Sequence, residues 1–223
     1  MNIMNGKAIL VTIFTILFTC MAYAQHTLIL AIDVSASIDD EEQMIQMEGY
    51  GSVLQFFPYL EGHHVEVILF SSRAVSVSSG TLSDAQRFFD NWHIPPEVYG
   101  RSTPVTCTWT VFQYILDTID QYPGVITLDI SGDGPENCAP DERIEELTSQ
   151  LDEAGVMINA LVIMDERRPH DAANAVEYYT DHVINGFLFQ AQSFLDVAET
   201  LHRKIALEMS HVRAGNTYAL NAD

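Results

Sequence analysis

Five apolar residues in an unbroken run, Leu28-Ile29-Leu30-Ala31-Ile32, end on an acid, Asp33. The run has no helical period, so it reads as a strand buried on both faces. Such a strand needs cover above and below, as in a parallel sheet with helices on either side. Two hydroxyls follow the acid at alternate positions, Ser35 and Ser37, and acids come next, at Asp39, Asp40, Glu41 and Glu42. Ser37 with Asp40 and Glu41 predicts a helix N-terminus with acids in its first turn. A carboxylate at the C-terminal end of a buried strand, beside a helix start, stands where open α/β sheets place their ligands. Asp33-x-Ser35-x-Ser37 offers one anionic and two neutral oxygens. That set suits a hard divalent cation such as Mg²⁺, not zinc, which prefers nitrogen and sulfur. The competing reading makes the same three residues turn and cap groups between a strand and a helix.

The rest of the chain alternates strand and helix patterns, which implies a mainly parallel sheet. A helix is expected over residues 39–57, with Met44, Met47, Gly51 and Leu54 on its inner face. His64–Phe70 and Ala74–Ser78 read as strands joined by Ser71-Ser72-Arg73, short enough for an antiparallel hairpin at one sheet edge. His63 and His64, at the junction before that strand, are assigned a surface role. A helix capped by Ser83 follows, then a Pro-containing loop over 93–107 and a helix over 108–121. Val125–Ser131 is a central strand, Asp141–Ala154 a helix, Val156–Ile163 a strand and His170–Tyr179 a helix after a turn at Arg167-Arg168-Pro169. The last strand gathers Val183-Ile184 and Phe187-Leu188-Phe189, and the last helix runs from Ser193 to His211 with Phe194, Val197, Leu201, Ile205 and Met209 as its buried stripe. The expected fold is a doubly wound, six-stranded sheet with one antiparallel edge strand and helices on both faces.

Residues 1–24 stand apart. One basic residue, Lys7, precedes an apolar run from Ala8 to Cys20, and Ala22-Tyr23-Ala24 fits a small-x-small cleavage site. This reads as a secretory signal peptide, with a membrane anchor as the alternative that the short apolar run disfavours. One domain over 25–223, exported to the periplasm or the exterior, is then expected, with no membrane span in the mature chain. The full chain carries 10 Lys and Arg against 31 Asp and Glu, a formal charge of −21. Loss of Lys7 makes the mature chain more acidic still. Such a chain repels nucleic acid and anionic lipid. A solvated acidic surface explains the charge by itself, so acidity alone does not argue for cation binding. Two of the three cysteines, Cys107 and Cys138, survive cleavage. An even count in an exported protein suggests one disulfide, and two buried free thiols are the alternative.

A second acid, Asp133, follows the central strand within Ile130-Ser131-Gly132-Asp133-Gly134. If its strand lies beside that of Asp33, the two acids flank the switch point of the sheet. The loop before the helix at 108 adds Ser102, Thr103, Thr106 and Thr108. Asp-x-Ser-x-Ser after the first strand, a Thr before a central helix and Ser-Gly-Asp-Gly after the fourth strand resemble the von Willebrand factor A domain. The blocks Asp33–Glu42, Asp129–Asn137 and Ser193–Ile205 are similar to a bacterial secreted family of such domains of unknown function, and the resemblance spans residues 27–212. It implies a metal-ion-dependent adhesion site in which Asp33, Ser35 and Ser37 come from the first loop and Asp133 from the fourth-strand loop. Aligning the following helix places Thr106 as the middle ligand. That family has Gly before this Thr and small apolar residues after it. Val105 and Cys107-Thr108-Trp109 depart from the pattern, so Thr103 stays as the alternative. If Thr106 and Asp133 meet at one ion, Cys107 and Cys138 come close enough to pair and would staple two ligand loops together.

The resemblance further implies a protein-binding module holding Mg²⁺, Mn²⁺ or Ca²⁺, with an Asp or Glu of an unidentified protein partner completing the coordination. The enzymatic alternative is a metal-dependent hydrolase such as a phosphatase. Haloacid-dehalogenase-type phosphatases carry a second acid two residues after the first, where Ser35 stands here. Gly-x-Ser-x-Gly and His-Glu-x-x-His are absent from the sequence. A third reading is an envelope-associated protein whose site is vestigial; the presence of all five ligand-type residues argues against it.

Overall fold

The short apolar runs form six strands: β1 (His26–Asp33), β2 (His64–Phe70), β3 (Ala74–Gly80), β4 (Val125–Gly132), β5 (Val156–Ile163) and β6 (Leu188–Ala191). The computed structural model describes residues 25–57, 60–99, 105–164 and 169–213, so the expected leader over 1–24 and the turn at Arg167-Arg168 lie outside the described residues. The strands make one sheet in the order β3-β2-β1-β4-β5-β6. β3 pairs antiparallel with β2, and every other pairing is parallel. This is the doubly wound α/β sheet with one antiparallel edge that the pattern predicts.

Among the described residues six α-helices cover it: α1 (Asp40–Leu54), α2 (Leu82–Asp90), α3 (Thr108–Thr118), α4 (Asp141–Glu153), α5 (Pro169–Tyr178) and α6 (Val197–Arg213). Two separate cores result. Leu28, Leu30 and Ile32 of β1 point to the face packed by α1, α2 and α6. Ile29 and Ala31 point to the face packed by α3, α4 and α5. Alternation across a pleated strand explains why all of β1 is apolar: both its faces are interior. The chain leaves β1 toward β2 on one side, and β4 pairs on the other. The switch point therefore lies between β1 and β4. Their register sets Ile32 opposite Ser131, so Asp33 and Asp133 emerge from adjacent strand ends.

Local structure differs from the sequence reading at two helix caps, on one helix face and at the last strand. Asp39, not Ser37, caps α1: it accepts from the amides of Glu41 and Glu42, and Glu42 returns a bond to the Asp39 amide. Asp39 and Glu42 complete a capping box, and the Ser37 hydroxyl bonds to Ser35 and Asp133 instead of the helix. Thr81, not Ser83, caps α2, again in a box, with Asp84. The expected inner face of α1 is rotated: Met47 and Leu54 are buried, but Met44 is 44 % exposed, and Gln43, Gln46 and Tyr50 go inside instead. Val183 belongs to a single π-turn, Tyr179–Val183, that continues α5, and not to the last strand. His63 and His64 are half-buried, and the His63 ring packs edge-on against that of buried His26.

The last helix buries Val197, Leu201 and Ile205 as expected, with Phe194 just before it. The Met209 side chain lies outside the described residues. The same stripe carries three groups that periodicity alone assigned to no partner: Thr200, Lys204 and Glu208 are all buried. Lys204 Nζ lies 2.7 Å from Asp129 Oδ2 of β4 and 2.6 Å from Glu208 Oε1. Asn159 of β5 donates to the same Glu208 oxygen at 2.7 Å. Burial opposes the charge on Lys204, but Asp129 and Glu208 outweigh it and hold the ammonium above its ordinary pKa.

Candidate metal centre

Three loops meet at the C-terminal edge of β1 and β4. The first is the turn after β1. Asp33 is fully buried, and its Oδ1 accepts from the Ser35 amide at 2.7 Å. That bond folds the turn so that Ser35 and Ser37 face the same side, their hydroxyls 2.9 Å apart. The second loop follows β4. Ser37 Oγ donates to Asp133 Oδ1 at 2.7 Å. The third precedes α3. Thr106 Oγ1 lies 3.2 Å from Asp33 Oδ2 and 3.1 Å from Ser35 Oγ.

All five residues singled out in the sequence are thus brought together. Their oxygens form a continuous series, Asp33–Thr106–Ser35–Ser37–Asp133, at steps of 2.7–3.2 Å. Asp33, Ser35, Thr106 and Asp133 are each no more than 3 % exposed. The alternative middle residue, Thr103, lies outside the described residues, as does Ser102. Burial, reinforced by the nearby Asp133 charge, pushes Asp33 up to about 7; bonds from Ser35 and Thr106 pull the other way. Holding two acids this close inside the protein disfavours their charged forms.

The site also depends on residues that the sequence reading did not single out. Gly132 is one. A Cβ there would stand 3.1 Å from Asp33 Oδ2 and 3.1 Å from Tyr179 Oη. Only a residue without a side chain leaves that space beside the carboxylate. Tyr179 is fully buried behind the site, at the start of the π-turn, with buried Thr108 beside its hydroxyl. Glu136 and Asn137 are two more. Asn137 bonds Thr106 through its own amide, which donates to the Thr106 carbonyl at 3.1 Å, and through its side-chain oxygen, which accepts from the Thr106 amide at 3.2 Å. Glu136 accepts from the amides of Trp109 at 3.1 Å and Cys138 at 2.8 Å. The forewarning in the sequence was their place at the end of the block Asp129–Asn137, three and four residues after Asp133.

Cys107 and Cys138 are joined by a disulfide, Cα to Cα 5.6 Å, closing 31 residues of chain. It ties the Thr106 loop to the Asp133 loop, as expected if those two residues meet. Ser71 braces the Thr106 loop from its other side: its carbonyl accepts from the Cys107 amide at 2.9 Å, and its hydroxyl donates to the Val105 carbonyl at 3.0 Å.

Residues 80–213, more than half the chain, match the family described as Protein of unknown function (DUF1194). No curated protein matches the sequence. Solved structures share the fold at low identity. Proximal thread matrix protein 1 from the mussel byssus, in a form with a zinc-occupied MIDAS motif, superposes with a TM-score of 0.58 at 16 % identity, over 83 % of this chain and 46 % of that one. The pilus adhesin SpaC from Lactobacillus rhamnosus GG gives 0.65 at 13 % identity, over 88 % of this chain and 31 % of that one. The von Willebrand factor type A protein from Catenulispora acidiphila gives 0.61 at 13 % identity, over 83 % and 43 %. This chain spans less than half the length of each of these three. The strand order, the switch-point loops and the sequence match agree: the chain belongs to the DUF1194 family and has the fold of a von Willebrand factor A domain.

Proposed function

We propose that this chain is an exported protein-binding module that works through a divalent cation. In this reading residues 1–24 are its leader and 25–223 its interaction domain. Asp33, Ser35, Ser37, Thr106 and Asp133 surround the ion, and an Asp or Glu of the partner completes its coordination. The observation that carries the proposal is the series of five side chains whose oxygens are spaced 2.7–3.2 Å. A six-coordinate Mg²⁺ with bonds of about 2.0–2.1 Å needs neighbouring oxygens about 2.9 Å apart. Ca²⁺, with bonds of about 2.3–2.6 Å, needs a wider cage. The space kept open by Gly132 and the two acids drawn together in a buried site fit the same group.

The protein's own groups have distinct tasks in this reading. Ser35, Ser37 and Thr106 are neutral donors, so the site adds little negative charge beyond its two acids. A bound divalent ion would keep electrophilic character there and offer a position to an incoming carboxylate. Asp33 is locked by the Ser35 amide and Thr106, so its orientation is fixed before any partner arrives. The MIDAS site described in the mussel protein holds zinc. Zinc therefore belongs in the test beside Mg²⁺ and Mn²⁺.

Calorimetric titration of the metal-free protein with each ion is the test. Binding at one site, lost in Asp33→Ala, is the expected result. Unchanged affinity in Asp33→Ala refutes the site. Capture of a partner from the exported fraction should be abolished by chelator and by Thr106→Ala. A partner held equally well under both conditions shows that its contact does not pass through the ion.

A further inference from the structure

Helix α3 starts without a cap of its own. Its N-cap residue is Cys107, which makes no side-chain bond to the helix. The sulfur is engaged in the disulfide instead. The amides of the first turn are orphan donors that need an acceptor from somewhere. They find one in a different loop: Glu136 Oε2 accepts from the Trp109 amide at 3.1 Å. Its other oxygen accepts from the Cys138 amide at 2.8 Å, within its own loop. The carboxylate is 8 % exposed; burial raises its pKa, and backbone bonds from Cys138, Trp109, Thr108 and Ala139 oppose that rise. One buried carboxylate thus faces the positive end of α3 and is fixed at both oxygens.

Thr106 lies three residues before Trp109. Where the first turn of α3 sits decides where the Thr106 hydroxyl sits. We infer that Glu136 is a positioning residue for the metal centre: by capping α3 from the Asp133 loop, it sets Thr106 Oγ1 against Asp33 and Ser35. The inference rests on the metal-binding reading above and extends it to a residue that touches none of the five ligand groups. The disulfide and the Asn137–Thr106 bonds join the same two loops. They fix the distance between the loops. Of these contacts, Glu136 is the one that accepts from an amide of the first helical turn, and so bears on the angle at which Thr106 enters the site. A disulfide at Cys107 uses up the residue that would otherwise cap the helix, which gives the chain a reason to place an acid at 136.

The test is a double-mutant cycle between Glu136 and Thr106, read as Mg²⁺ and Mn²⁺ affinity by calorimetry. It is run at a temperature where circular dichroism shows each variant folded. Glu136→Ala should weaken binding about 10–100-fold, the range for groups that orient a ligand from behind. Glu136→Gln keeps one acceptor and should fall in between; it also serves if the alanine variant does not fold. In a Thr106→Ala background, Glu136→Ala should cost little more, because its effect passes through Thr106. Full additivity of the two losses overturns the inference, as does a lowered melting temperature with unchanged affinity, which marks Glu136 as structural only. If the wild-type protein binds neither ion, the reading beneath fails and the inference falls with it. Wild-type binding that survives intact in Glu136→Ala and Glu136→Gln removes the inference alone.

Discussion

Replacing Lys204 by Met tests the least hydrophobic part of the interior. The ammonium sits between Asp129 at 2.7 Å and Glu208 at 2.6 Å, with none of the three side chains more than 1 % exposed. Methionine fills a similar volume but leaves two carboxylates in a dry site. Removing one partner of a buried ion pair costs about 3–5 kcal/mol. An independent bound comes from proton uptake. A stranded carboxylate escapes by protonating, and at pH 7.5 that costs an Asp about 5 kcal/mol and a Glu about 4 kcal/mol. Glu208 keeps its bond from Asn159 at 2.7 Å, whereas Asp129 Oδ1 has no hydrogen-bond partner among the described residues. Asp129 therefore dominates the loss, and about 3–5 kcal/mol is expected at pH 7.5. The sign with pH follows. In the variant the folded-state pKa values of the acids rise further above their unfolded values. Stability is then greatest at low pH and is lost as pH rises through the folded-state values. Two pH units are worth about 2.7 kcal/mol for each carboxyl that stays protonated. The gap to wild type should shrink by about that much at pH 5.5. Urea unfolding followed by circular dichroism at pH 7.5, 6.5 and 5.5 measures it. A loss under about 1 kcal/mol that does not change with pH would refute the buried-cluster account.

His26 is buried and bonded to Thr127, and burial, with His63 nearby, lowers its pKa from 6.5 to about 4. Its neutral form is the one folding favours, so stability is complete above pH 6.5 and declines by up to about 3 kcal/mol as pH falls toward 4. Urea midpoints should show a weaker decline in His26→Gln over that window; parallel curves would dismiss the assignment. Replacing Cys107 and Cys138 together by Ser opens a loop of 31 residues, for which the chain-entropy model expects a loss of about 3–4 kcal/mol. Denaturation of that variant, and alkylation of the exported protein without reductant, check the bond: two alkylated thiols would contradict it. Gly132→Ala places a methyl 3.1 Å from Asp33 Oδ2 and from Tyr179 Oη. It should cost about 1–3 kcal/mol in stability and weaken Mg²⁺ binding; an unchanged titration would show that the space beside Asp33 is not needed.

Much of the candidate site was legible in one dimension because its chemistry is carried by strand ends. Apolar runs that stop at or just before Asp33 and Asp133 declare where each acid leaves the sheet, and the hydroxyls at 35 and 37 follow the first in its turn. The choice of Thr106 rested on aligning the following helix, and the bond to Asp33 at 3.2 Å is consistent with it. Caps were read less well. Ser37, Asp39, Thr81 and Ser83 all have side chains able to cap, and the reciprocal acids at Glu42 and Asp84 select among them only when the helix start is known. Met44 was placed inward because a helix of mixed residues has no strong apolar face; α1 instead buries Gln43, Gln46 and Tyr50, and Gln46 reaches the Ser131 hydroxyl at 3.0 Å.

The sequence by itself determined the class of fold and the strand ends that carry the two acids. Those properties depend on local patterning, which each segment carries alone. Tertiary structure decided the rest. Asp129 within an apolar strand and Lys204 on an apolar stripe are joined as an ion pair, 75 residues apart along the chain. Glu136 gains its role because α3 lacks a side-chain cap of its own and takes an acceptor from the Asp133 loop. Tyr179 became part of the site only when a π-turn carried its hydroxyl behind Gly132. The physical reason is common to Lys204 and Glu136. A buried polar group must be satisfied, and its partner is supplied by whichever segment the sheet order brings near, which no local pattern encodes.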